Sequence, residues 1–186
     1  MKTRWINWVD RAMSRVDGRK ASAVGVVFLA FVLWALPAAS QAGVDVGLTQ
    51  SIDTSFVMSA DQLWAIAEGY GPTVRQAYIL QRWTFDVVWP IVYTSFFMIS
   101  ALYLGKKIKL NVFGKMLLLI IPLGVLFDFL ENSLVSLVFA LFPIRIIGLT
   151  EAAVLMTPIK WVFVSLSMIL VLGLAGVALV RPWIKR

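Results

Sequence analysis

Three carboxylates stand inside otherwise apolar stretches of this chain: Asp86, Asp128 and Glu131. A charge near the middle of a bilayer costs about 2.5 to 3.5 kcal/mol on insertion scales, so each needs compensation or a role. Asp128, Glu131 and Asn132 are spaced i, i+3, i+4, which places them on one face of a helix, with Ser136 a further turn along. Arg82 lies one turn ahead of Asp86 on the same face, and Lys160 begins another apolar run. Such a set can hold a proton, a cation or a lipid headgroup. An Asp/Glu pair can also act as general acid and base, or offer oxygen ligands to a hard cation such as Mg²⁺. It can equally be a salt-bridge and hydrogen-bond network that fixes helix packing. The excess of one acid over the two bases favours a bound proton, metal ion or cationic ligand.

The elements that carry these residues follow from composition. Of the 186 residues, 60% are hydrophobic, and the mean hydropathy of +0.86 is too high for a domain whose surface faces water. Four runs supply the excess: 21–44, 87–105, 116–143 and 161–180, of which only the third contains charge, as Asp128 and Glu131. Each is near the roughly 20 residues that a helix needs to cross a hydrocarbon core of about 30 Å. The backbone must satisfy its own hydrogen bonds there, so an all-α, polytopic membrane protein is expected.

Orientation follows from Lys and Arg, which accumulate in short cytoplasmic loops. Lys2, Arg4, Arg11, Arg15, Arg19 and Lys20 precede the first run; Lys106, Lys107, Lys109 and Lys115 separate the second and third; Arg181, Lys185 and Arg186 follow the fourth. The segment after the first run carries Asp45, Asp53, Asp61 and Glu68 against Arg75. Both termini are therefore expected in the cytoplasm of a multi-pass cell-membrane protein. The formal charge of +7 is explained by this topology, with the lipid bilayer as the partner and no nucleic acid implied.

One membrane domain, 1–186, is expected. Its parts are a cytoplasmic amphipathic segment (1–20), a first span (21–42), an external loop with a short helix (43–79), a second span (80–105) and a cytoplasmic loop (106–115). A third span (116–142), an external loop (143–157), a fourth span (158–181) and a cytoplasmic tail (182–186) complete it. Trp5, Val9, Met13 and Val16 give 1–20 an apolar face suited to the membrane interface. The first run also has the form of a signal peptide, with Ser40-Gln41-Ala42 as a cleavage site; the long basic leader and the uncharged run to Val44 favour a retained span. Ser59 and Gln62 form a capping box for the external helix, and a long helix is expected from Pro72 or Thr73. Pro90 and Pro122 should kink the second and third spans, and Thr157-Pro158 should begin the fourth. Tryptophans such as Trp83, Trp89, Trp161 and Trp183 read as interface anchors, and the small residues 173–178 as a packing stripe.

At a rise of about 1.5 Å per residue, Asp128 and Glu131 sit roughly 20 and 24 Å above Lys115, and Asp86 about 6 Å below Arg82. All then fall in the outer half of the membrane. The expected site is a polar cluster of Arg82, Asp86, Asp128, Glu131, Asn132 and Lys160 that opens outward, with Asp128 and Glu131 facing the bundle interior.

The run Arg82-Trp83-Thr84-Phe85-Asp86 with Pro90 and Tyr93, and the run Phe127-Asp128-Phe129-Leu130-Glu131-Asn132, resemble a pattern found in an uncharacterised group of small bacterial four-helix membrane proteins. The resemblance spans the second and third helices. It implies joint action of Asp86, Asp128, Glu131 and Asn132, and no particular activity.

Histidine and cysteine are both absent, which removes disulfides, thiol catalysis, imidazole acid/base chemistry and the usual zinc and haem ligation. No catalytic residue, cofactor or metal site is assigned. Three functions stay open: a binding or transport protein, for which a path through the membrane would require a homo-oligomer; a scaffold or accessory subunit with a structural polar network; and a lipid-modifying membrane enzyme. A non-enzymatic role is favoured because no catalytic signature is present.

Overall fold

The computed structural model describes residues 2–48, 52 and 55–184, and the regular structure among them is all helical. Asp53, Lys185 and Arg186 lie outside the described residues, as do the side chains of Lys2 and Trp183. Four helical stretches are long and apolar enough to cross a membrane: Gly18–Asp45, Pro72–Ile108, Val112–Leu141 and Leu149–Arg181. They run up and down, so that the leader, the second connection and the end of the last helix meet at one end, here called the basic end. Arg181 donates to the Lys107 carbonyl there at 3.4 Å.

Helix α1 (Lys2–Arg15) buries Val9, Met13 and the following Val16, a stripe with the helical period that its sequence shows. Trp5 Nε1 donates to the Lys115 carbonyl at 2.8 Å, and Lys106 Nζ to the Val16 carbonyl at 3.1 Å. The stripe expected to rest on lipid is thus covered by the protein's own second connection.

The first crossing helix consists of α2 (Gly18–Ala30), a π-helical turn at Phe31–Ala35 and α3 (Leu36–Asp45). Pro37 lacks an N–H, which would orphan a carbonyl one turn back. In the wider turn, the Leu36 N–H bonds instead to the Phe31 carbonyl, five residues away. Helix α4 (Ala60–Gly69) has the expected cap: Gln62 N–H donates to Ser59 Oγ at 3.1 Å, and Ser59 N–H to Gln62 Oε1 at 2.8 Å.

The second crossing helix begins at Pro72 as expected but breaks at a place that has no proline. Helix α5 (Pro72–Arg82) ends at Trp83, and α6 (Phe85–Ile108) starts beyond Thr84, whose backbone leaves the helical region at φ −118°, ψ −83°. The Thr84 hydroxyl takes the Leu80 carbonyl at 2.7 Å, the acceptor its own N–H would have had, and that N–H turns to Gln81 O at 3.2 Å. Helix α7 (Val112–Leu117) follows a short turn capped by Asn111, so the third crossing starts earlier than 116. Its break at Leu118–Leu119 lies one turn before Pro122, where the missing N–H frees a carbonyl. Helix α8 (Ile120–Leu141) completes it.

The fourth helix corrects the sequence reading. Helix α9 runs Leu149–Ile184, so Thr157-Pro158 lies inside it and most of the expected loop 143–157 is helical. Gly148 turns the chain at φ +85°, and its N–H is taken by the Glu151 carboxylate at 3.0 Å, which starts the helix there. The added turns bury Thr150 and Ala153 against the far end of the bundle, which outweighs the one hydrogen bond lost at Pro158.

Two apolar clusters result. One at the basic end joins Val9, Met13, Phe97, Leu118, Ile121 and Val171; the other, at the far end, joins Leu63, Ile66, Tyr78, Val135, Phe139 and Ala153. Gly124 lets α8 and α9 approach closely, since a Cβ there would sit 3.3 Å from Val164.

Candidate functional site

Between the two apolar clusters, α5, α6, α8 and α9 each contribute to a polar layer. On α8 the step from Ile121 through Asp128, Glu131 and Asn132 to Val135 crosses it, and on the second crossing helix the step from Phe97 to Tyr78. All six expected residues are brought together here. Arg82, Asp128, Glu131, Asn132 and Lys160 are buried, and the Asp86 side chain is nearly so. The carboxylates of Asp128 and Glu131 point into the bundle, as energetics required.

Ion pairs and hydrogen bonds organise the layer. Lys160 Nζ meets Glu131 Oε2 at 2.5 Å, while Thr157 Oγ1 donates to Glu131 Oε1 at 3.0 Å. Thr157 therefore serves as a donor to a buried acid and not as a helix cap. Arg82 Nη1 lies 3.4 Å from Asp86 Oδ2, one helical turn away across the α5–α6 break. The same Nη1 donates to Asn132 Oδ1 at 3.1 Å, and Nε to the Tyr78 hydroxyl at 2.9 Å. Asp128 accepts the Tyr93 hydroxyl at 2.9 Å. Trp83 Nε1 donates to Ser136 Oγ at 3.1 Å, so a tryptophan read as an interface anchor is also tied to α8.

Asn132 has a second task that explains why Pro90 is tolerated. Proline has no N–H, so the carbonyl of Asp86, four residues earlier, loses its helical donor. Asn132 Nδ2 supplies one at 2.8 Å. One buried amide therefore holds both Arg82 and the backbone at Asp86, and an unmet carbonyl in this setting would cost about 1 to 3 kcal/mol.

The layer opens onto a cavity of about 620 Å³ between the α3 half of the first crossing helix and α5, α6 and α9. Arg82, Asp86, Asp128 and Lys160 line it, together with Tyr78 and Gln81, which sequence reasoning passed over. Glu131 and Asn132 do not reach it. Both are fully buried behind the wall, where they hold Lys160 and Arg82 in place. The opposite wall is mostly apolar, with Leu36, Ala39, Gly43 and Val44 of α3 facing Trp89 and Trp161. Tyr78 had no distinguishing signal, because a tyrosine near a span end is common.

Among the described residues, no group of three or more His, Cys, Asp or Glu side chains is placed to hold a metal ion. The six residues form a polar layer joined to a roomy cavity. No family model matches the chain, and neither a curated protein nor a solved structure is detectably similar to it.

Proposed function

We propose that this chain is an amphiphile-binding protein of the cell membrane, with both termini in the cytoplasm and the cavity in the outer half of the bilayer. The observation that carries the reading is the composition of the cavity wall: four ionisable side chains on one side and an apolar helix on the other. Its size argues against a bare ion or proton as sole occupant. About twenty waters would fill such a volume at roughly 30 Å³ each, and ligand pockets for small organic molecules run from about 300 to 1,000 Å³. A polar head fits against Arg82, Asp86, Asp128 and Lys160, and a chain fits along α3. The first crossing helix buries only Gly43 along its length, so its α3 half can yield to a ligand arriving from the lipid. The topology rests on the basic residues gathered at one end.

The purely structural reading is supported at Glu131 and Asn132, whose groups are satisfied and enclosed. It gives no reason for a cavity beside four further ionisable groups. The test is quenching of Trp89 by dodecyl amphiphiles with brominated chains, compared between the wild type and Trp89→Phe so that the other tryptophans cancel. Saturable quenching is expected for at least one headgroup, and Ala39→Trp, which fills the cavity from α3, should remove it. Absence of saturable quenching with cationic, anionic and neutral heads alike would overturn the reading.

A further inference from the structure

We infer that a groove at the basic end holds the headgroup of an anionic phospholipid from the cytoplasmic leaflet, its phosphate between Lys109 and Arg181 and one acyl chain against α9. The inference is independent of what occupies the cavity and rests only on the orientation proposed above. The groove, of about 670 Å³, lies between the turn that follows α6 and the last turns of α9. Lys109, Asn111 and Arg181 form its polar wall, and Gly176, Val177 and Val180 its apolar one. Among the described residues no acid lines it, and none forms an ion pair with Lys109 or Arg181. Arg181 donates to the Lys107 carbonyl at 3.4 Å, which leaves most of its five donors for a phosphate.

Two observations set this place apart from the general basicity of that end. Lys109 closes α6 in the left-handed region at φ +56°, with its N–H on the Lys106 carbonyl at 3.3 Å and the Leu110 N–H on the Gly105 carbonyl at 3.0 Å. Glycine is the usual residue in such a turn, because a side chain disfavours that conformation. A positive inner face needs basic residues in this connection, and Lys106, Lys107 and Lys115 supply them; it does not call for one where glycine would turn with least strain. The groove does. The second observation concerns the small residues of α9, expected to pack helices. A Cβ at Gly173 or Gly176 would meet nothing within 4 Å among the described residues, whereas one at Gly124 would lie 3.3 Å from Val164. Gly176 therefore opens room about 8 Å into the membrane from Arg181, where a chain would begin if its head sat on that guanidinium. Cytoplasmic leaflets carry anionic lipids, and basic pockets on that side suit their headgroups. A second copy fits less well, since a two-fold contact sets the patch against itself and brings like charges together.

The test counts bound lipids by native mass spectrometry of the purified full chain in a neutral detergent, with phosphatidylglycerol and phosphatidylcholine of equal chain length in equal amounts. It does not depend on membrane orientation, which reporter fusions test separately. One phosphatidylglycerol is expected to bind roughly tenfold more tightly than phosphatidylcholine, as two cations near a phosphate would give. Lys109→Gly should weaken it about fivefold without lowering the melting temperature, because glycine suits the turn. Gly176→Leu fills open space, so the fold should hold while the lipid is weakened by a similar factor. Arg11→Gln removes an exposed cation of α1 outside the groove and should change nothing. Ala39→Trp should leave the adduct in place; its loss there would assign the lipid to the cavity and overturn the inference. Equal binding of the two lipids overturns it, as does an equal loss in Arg11→Gln and Lys109→Gly, which would mean diffuse charge and no site. Displacement by inorganic phosphate without any effect of Gly176→Leu would mean a free anion, and a dimer broken by Gly176→Leu with no lipid adduct would mean a contact between copies; either overturns it.

Discussion

The first and third crossing helices are both apolar enough for a membrane, yet they hold opposite places in the molecule. Along Gly18–Asp45 only Gly43 is buried, whereas Ile120–Leu141 buries Gly124, Asp128, Glu131, Asn132, Val135 and Phe139, among others. Hydropathy decides that a helix crosses; it does not decide where the helix sits, since lipid tails solvate leucine as well as a protein interior does. Position is set by the polar side chains. The α8 carboxylates and amide can be satisfied only by other helices, so α8 becomes the centre. The first helix carries no charge between Ala21 and Val44 and is left at the rim, where its α3 half bounds a cavity instead of filling it.

Removing one partner of a buried pair should break this contrast most severely. Lys160→Leu leaves Glu131 enclosed without its cation, and an effect of about 3 to 5 kcal/mol is expected. Thermal unfolding in detergent measures it, and Lys160→Leu with Glu131→Leu should recover most of the loss. Recovery fails if Glu131 has a role in folding other than as the partner of Lys160. Asn132→Ala comes next. It strips a donor from the Asp86 carbonyl and an acceptor from Arg82, and about 1 to 3 kcal/mol should go; infrared shifts at an isotope-labelled Asp86 carbonyl would report the first part separately.

Trp83→Phe loses only the bond to Ser136, and hydrogen bonds between membrane helices average about 0.6 kcal/mol, so its melting shift should be small. At the other extreme, Leu33→Ala in the rim helix, at a side chain 60% exposed, should stay within about 0.5 kcal/mol. A large loss at Leu33 would mean that the first helix has a partner, such as a second copy, on its open face. Reporter fusions test the orientation of the helices: activity from a cytoplasmic reporter is expected at both termini and from an external reporter after Gly69.

Much of this architecture was legible because its signals are local. The capping box at Ser59 and Gln62 and the stripe of Val9, Met13 and Val16 depend on neighbours within a turn or two, and both are present, though the stripe packs against the protein and not on lipid. That Asp86, Asp128 and Glu131 would gather with Arg82, Asn132 and Lys160 in one polar layer was legible for an energetic reason, as an ionisable group in an apolar run must find company; that Glu131 and Asn132 stand behind the cavity wall was not. The start of α9 is not legible, because Thr157-Pro158 is a good local cap while the preference for Leu149 comes from burying Ala153 beside residues of other helices. The break at Thr84 was hidden too, since a threonine that bonds back to its own helix looks like any other. The cavity left no sequence mark. It exists because the rim helix follows α6 along α2 and then bounds open space along α3, which depends on how four helices meet.

An amphiphile in the space between α3 and the polar layer would shield the side chains of α3 that line it. The chain contains no cysteine, so one introduced thiol reports on one place. Ser40 lines the cavity, and Ala42, at similar depth on the same helix, does not. In proteoliposomes of the full chain, the dodecyl amphiphile that saturates Trp89 quenching is expected to slow maleimide labelling of Ser40→Cys while leaving the rate at Ala42→Cys unchanged. Equal slowing at the two positions, or none at Ser40→Cys across the concentrations that saturate Trp89 quenching, would contradict the account.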